Sequence, residues 1–218
     1  MDGTQFQQAT GYAIDLLRRG LLPSFTYHSL HHTLEVANFC KRLSELEGID
    51  EKNIRLLLTA AHFHDTGLTT ISGINVEAYN AVRAVHEEKA VQIAEGVLPE
   101  YGITKEEIHT VSRLIMATKW GRTPADLLEQ IISDADMSSL GREPDYFMRS
   151  SQALREELES FGIWIPDVEW YQNQKELIET HSYHTPSARN LFEANRALNV
   201  AAVQSQLDGL SSEHTTDA

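Results

Sequence analysis

Cysteine is almost missing from these 218 residues: Cys40 is the only one. No disulfide can form within the chain, and the simplest setting is a reducing, cytoplasmic one. Long hydrophobic runs are missing too. No stretch approaches the roughly 18–20 unbroken apolar residues that a membrane span needs. The opening "MDGTQFQQAT" has no basic segment leading into an apolar one, so no signal peptide is expected. Positive charge is in deficit, with Lys+Arg at 18 against Asp+Glu at 32 and a net charge of −14. Such a surface repels nucleic-acid polymers and anionic membranes. It still permits a small phosphorylated substrate, provided cations or metals line the pocket. Alternating strand patterns are scarce, and neither a repeat nor a low-complexity tract is present.

What the sequence has is helical periodicity. Helices are expected over about 4–20, 28–47, 51–65, 76–98, 104–118, 125–138, 143–160, 167–180 and 186–208. Pro23, Gly48, Gly67, Pro99, Gly121, Pro166 and Pro186 fall at the joints. Thr104 followed by Glu107 reads as a capping box. With 41% hydrophobic residues and no long linker, the expectation is an all-α fold, a single-domain helical bundle over 1–208. The polar end, "GLSSEHTTDA" from Gly209, is expected to be a disordered tail.

Ten histidines are present, and helical phase sorts them. His28, His32, Val36, Phe39, Cys40 and Leu43 share one stripe, while His31 falls with Glu35, Asn38 and Arg42 on a polar side. Leu57, Ala61, His64 and Asp65 form an inner stripe of the next helix, with His62 at one flank. His86 lies among Val82, Val85, Ala90 and Ile93, and Asp136 continues Leu128 and Ile132. Four helices therefore aim a histidine or carboxylate inward, and a buried unpaired carboxylate is costly. Taken singly, each fits a hydrogen-bonded core polar group. Taken together, His32, His64, Asp65, His86 and Asp136 fit a shared cation, and imidazole with carboxylate suits zinc, iron, manganese, cobalt or nickel.

These residues resemble the HD-domain superfamily of metal-dependent phosphohydrolases, an all-helical fold. The family pattern of a histidine, a distant His-Asp pair and a final aspartate maps to His32, His64 with Asp65, and Asp136. "YHSLHHTLEV" is similar to the Tyr-His-x-x-x-His segment of cyclic-nucleotide phosphodiesterases. "AAHFHDTG" matches the His-Asp segment, and "SDADMSSLG" selects Asp136 over Asp134. The core motifs span about 25–140, with helices 143–208 completing the domain. The resemblance implies one tight divalent transition metal on His32, His64, Asp65 and Asp136. It implies further that Asp65 orients the attacking water and that His28 protonates the leaving group; a histidine at the helix mouth that only caps or hydrogen-bonds fits His28 as well. Two-metal members add two histidines. His86 fits the first, but Ala117 and Thr118 stand where the second would be. A second site, for magnesium or manganese, is therefore weaker or absent.

Lys119, Arg122 and Arg142 are candidate substrate cations. In "HSYHTPSARN", Tyr183, His184 and Arg189 cluster at a helix start that favours anions and could cover the metal mouth. N-capping by Thr185 with Pro186 at the first helical position explains the same pattern. Trp164, Trp170 and Tyr171 read as core or homodimer-contact aromatics. Hydrolysis of a phosphate ester or anhydride, in a nucleotide or related small molecule, is the function the resemblance implies. A mixed-valent di-iron oxygenase of the same fold and a catalytically silent metal-binding sensor are the alternatives.

Overall fold

The protein is seen in a computed structural model that describes residues 1–216. Among these residues all regular structure is helical: α1 (Gly3–Gly20), α2 (Leu30–Leu46), α3 (Glu51–Phe63), α4 (Val76–Arg83), α5 (His86–Val97), α6 (Lys105–Met116), α7 (Leu127–Asp136), α8 (Pro144–Ser160), α9 (Asp167–Thr180) and α10 (Pro186–Thr216). Short 3-10 turns cover Thr66–Thr70, Leu98–Tyr101 and Met137–Gly141. Among the described residues no helix is long and apolar enough to cross a membrane.

α3 is the central element, packed against α1, α2, α6 and α7. Its second half, Thr59 to Phe63, is buried residue by residue, as expected of a helix that neighbours surround. Asp50 starts it, accepting from the backbone N–H groups of Lys52 and Asn53. A second cluster of Phe25, Leu68, Tyr79, Val82 and Phe161 ties the α1–α2 loop, the turn after α3 and α4 to the end of α8. A third, of Leu140, Phe147, Ile178 and Val203, seats α8, α9 and α10 on the turn after α7.

Three boundaries differ from the sequence expectation. α2 starts at Leu30, because the Ser29 side chain caps it by accepting from His32 N–H; His28 lies in the preceding loop. The single helix expected over 76–98 divides at Ala84 and Val85, where Val85 leaves helical geometry at φ −138° and ψ 12°. Its apolar phase persists across the break, so periodicity could not reveal it. The expected tail from Gly209 is instead the last part of α10, which continues to Thr216. Gly209 is the only helix breaker there, and hydrogen bonds from Gln204 to Asp208 and from the Ser211 hydroxyl to the Leu207 carbonyl support that end. Residues 217 and 218 lie outside the described residues.

Gly67 explains the divided helix. A Cβ built there would stand 1.9 Å from the His86 carbonyl oxygen, with backbone atoms as the next two neighbours. The turn after α3 thus packs backbone to backbone on the first residue of α5. Gly67→Ala should lower the unfolding free energy by about 1–3 kcal/mol or more, since neither backbone can yield cheaply. Gly96→Ala, where a Cβ meets nothing within 4 Å, should have the opposite sign and stabilise by about 0.4–1 kcal/mol. Denaturant midpoints of the two variants check both.

Candidate metal centre and active-site cleft

Four residues converge where α2, the end of α3 and the end of α7 meet. α2 presents His32, the turn closing α3 presents His64 and Asp65, and the last residue of α7 is Asp136. His32 Nε2 lies 3.1 Å from Asp136 Oδ1 and 3.8 Å from Asp65 Oδ2. His64 Nε2 lies 3.2 Å from Asp65 Oδ2 and 3.5 Å from Asp136 Oδ1. One atom each of His32, His64 and Asp136 fall within 4.8 Å of one another. Two atoms each about 2.1 Å from one ion stand about 3.0 Å apart at a right angle and about 4.2 Å apart when opposed. The four pair distances lie inside that window.

The hydrogen bonding argues for a cation independently of the distances. His64 Nδ1 is 2.8 Å from the Ala61 carbonyl, so it carries the hydrogen and donates. Nε2 then holds a lone pair, aimed at carboxylate oxygens that carry lone pairs of their own. His64 Nε2 and Asp65 Oδ2 are both buried and lack a hydrogen-bond partner. Facing acceptors in a dry site need something positive between them. A proton can serve: burial works against charging His64, but Asp65 and Asp136 outweigh it and hold its pKa well above the ordinary histidine value. Burial likewise works against ionising the two aspartates, yet His64 and His32 hold both carboxyls well below the usual range. A divalent cation serves the same electrostatic need with more charge. The donors present fit a metal.

His86 opens α5, with Nε2 3.6 Å from Asp65 Oδ1. Burial, with Arg83 beside it, lowers its pKa to about 4, so its imidazole is neutral. His28 is buried just before α2. Its Nδ1 lies 2.6 Å from Glu157 Oε1, and its backbone N–H donates to Glu157 Oε2 at 2.9 Å. Glu157 is fully buried on α8 and also accepts from the Tyr79 hydroxyl at 3.0 Å and from the Tyr27 N–H. Burial opposes its charge, but His28 prevails and holds the carboxyl below its usual value.

Two cavities meet at Asp136. One, of about 200 Å³, is lined by His32 and Asp136 together with the hydroxyls of Ser29, Ser138, Ser139 and Tyr146. The other is an open groove of about 380 Å³ that includes Lys119, Trp120, Arg122, His181 and His184. Lys119 is anchored by Glu88 at 2.5 Å. Trp120 is 73% exposed.

The structure leaves Tyr183 and Arg189, two of the expected substrate contacts, away from this cleft. Tyr183 is a core residue, and its hydroxyl donates to the Met137 carbonyl. Arg189 donates to the Tyr183 and His184 carbonyls and braces their loop. Arg142 lies beside the smaller cavity, paired with Glu35 and over the Tyr146 ring, both of which line it. Helical phase could not separate these from Lys119, Arg122 and His184, because all six lie in or beside loops. Asp134, passed over in favour of Asp136, holds the loop instead. It accepts from His184 N–H, Thr185 N–H and the Thr185 hydroxyl, each at 2.8 Å. That fixes the "HSYHT" segment as a wall of the groove.

Sequence reasoning missed Glu157, Arg83 and Trp120. Glu157 had a readable signal, because it falls in phase with Leu154, Leu158 and Phe161 as Asp136 does with its apolar neighbours. Arg83 had only its position three residues before His86, and Trp120 only its place beside Lys119.

An all-helical bundle whose inner helices bring two histidines and two aspartates to one point has the make-up of a helical fold suited to holding a metal. The chain belongs to the HD-domain family, whose model matches residues 29–139. Bacillus subtilis YpgQ, in a complex with ADP, is similar at 20% identity and a TM-score of 0.62, with 93% of each chain covered. A predicted HD superfamily hydrolase from an uncultured Thermotogales bacterium is similar at 20% identity and 0.59, covering 96% of this chain and 99% of that one. LmjPDEB1, in complex with IBMX, is similar at 17% identity and 0.53, covering 95% and 86%. Among curated proteins none matches this chain.

Proposed function

We propose that the protein is a metal-dependent phosphohydrolase that cleaves a phosphate ester or anhydride in a nucleotide or related small phosphorylated molecule. The observation that carries this is the convergence of His32, His64, Asp65 and Asp136, with unpartnered buried acceptors facing one another, at the floor of a cleft with cations along one side. A divalent ion of manganese, iron, nickel, cobalt or zinc held there supplies a Lewis acid and lowers the pKa of a nearby water to the neutral range. Asp65, beside His64 and His32, would help hold such an ion and would orient the water. Glu157 holds the hydrogen of His28 on Nδ1 and supports the charged imidazole. His28 can then pass a proton to the departing oxygen, as a carboxylate-oriented histidine does in general acid catalysis. Lys119, Arg122 and His184 offer positive or hydrogen-bonding groups to phosphate oxygens, and the exposed face of Trp120 offers a stacking surface for a base. YpgQ, a protein of the same fold, holds ADP, a compound of the class this cleft suits.

The oxygenase alternative needs further imidazoles. Ala117 is buried apolar surface, Thr118 donates its hydroxyl to the Ile115 carbonyl, and His109 is exposed. The test is a panel of nucleotides, sugar phosphates and aryl phosphates under strict anaerobiosis, with manganese, magnesium, nickel or cobalt added. Release of phosphate or pyrophosphate from at least one compound is the expected result. Oxygen-dependent turnover of a carbon substrate, with no phosphate release across the panel, would overturn the reading.

A further inference from the structure

Asp65 turns its two oxygens to different neighbours. Oδ2 faces His64 and His32, and Oδ1 lies 3.6 Å from His86 Nε2. A carboxylate so placed can bridge two cations, and the second position already has a positive group built into the chain. His86 Nδ1 is 3.0 Å from the carbonyl of Arg83, so Nδ1 carries the hydrogen and Nε2 the lone pair. That lone pair faces Arg83 Nη1 at 3.2 Å. Glu87 lies 3.1 Å from Nδ1, on the other edge of the ring, and adds no acceptor on the Asp65 side. The divided helix fixes the pair: Arg83 is the last residue of α4 and His86 the first of α5, with Gly67 packed on the His86 carbonyl.

We propose that the Arg83 guanidinium takes the place of a second metal ion, so that the centre binds a single divalent cation; this rests on the metal-centre reading above. Arg83 excludes a second ion in two ways. It engages the His86 lone pair that faces that side of Asp65, and it puts a fixed positive charge there. Charge balance gives the arrangement a use. A divalent ion with two aspartates and two neutral histidines sums to zero formal charge. Arg83 adds positive charge beside it without a second ion. It is a positioning residue toward His86 and Asp65, and its effect is on metal count and on the charge met by an anion.

The experiment is a manganese titration read by elemental analysis and by electron paramagnetic resonance, with no turnover required. Wild-type protein should saturate at one ion per chain and show an isolated-ion spectrum. Arg83→Gln keeps an N–H donor for His86 but loses the charge, and Arg83→Ala loses both; each should take up a second, weaker ion with spin-coupled signals. Arg83→Lys should remain at one. Circular dichroism of each variant establishes that it is folded. Two coupled ions in the wild type, or a single ion in both the Gln and Ala variants, would overturn the proposal and leave the hydrolase reading standing. No ion in the wild type, or full retention of the ion by Asp136→Ala, would remove the metal-centre reading itself.

Discussion

Asp65→Ala should abolish metal binding and turnover together. Asp65 is 2% exposed, and its oxygens lie within 4 Å of three imidazoles, those of His32, His64 and His86. Removing it takes away a ligand and the negative charge that draws a cation in. It also leaves three histidines without the carboxylate that keeps their neighbourhood electrically balanced. Loss of the ion removes the Lewis acid and the water-activating charge at once, so turnover should fall by more than roughly 10³-fold. The helical fold should persist, because Asp65 belongs to none of the three apolar clusters. Elemental analysis, phosphate release and circular dichroism on one preparation check the three parts. A variant that keeps its ion and most of its rate would remove Asp65 from the proposed chemistry.

His28→Ala should separate the two functions that Asp65→Ala removes together. His28 stands before α2 and spends Nδ1 on Glu157, so it is not among the groups proposed to hold the ion. Metal content should stay at the wild-type level while kcat falls by roughly 10²–10⁴-fold, the scale for losing a positioned general acid. The loss should shrink for an aryl phosphate, because a phenolate leaves without needing a proton. Glu157→Gln should reproduce the effect in weaker form. The amide still meets the Tyr79 hydroxyl and the backbone N–H groups of Tyr27 and His28, but it no longer supports a charged imidazole. Equal losses on alkyl and aryl phosphates would show that His28 acts on the fold or on substrate binding and not on the leaving group.

The inward stripes that carry His32, His64 and Asp136 are legible in the sequence because helical phase alone decides which way a side chain points. The same reasoning fails wherever the chain leaves a helix. His28 shares the phase of α2 yet sits in the loop before it, since the Ser29 cap, a matter of one hydroxyl, sets where the helix begins. The break between Arg83 and His86 is invisible to periodicity, because it comes from a contact between two backbones, Gly67 and His86, that are distant in sequence. Tyr183 and Arg189 read as site residues because a cluster of polar groups at a helix start suits an anion. Asp134 takes the N–H groups of that segment, and the core takes the tyrosine. Pairings across the bundle, such as Glu157 with His28 or Arg83 with His86, depend on tertiary packing that no window along the chain contains.

The segment shared with the family, residues 29–139, holds all four residues proposed as metal ligands but neither His28 nor Glu157. His28, proposed as the acid, and Glu157, which pairs with it, come from the loop before this segment and from α8 after it. The groups proposed for ion binding and for leaving-group protonation thus lie in separable stretches of chain. A fragment trimmed to the shared segment would retain the proposed ligands while losing both His28 and Glu157.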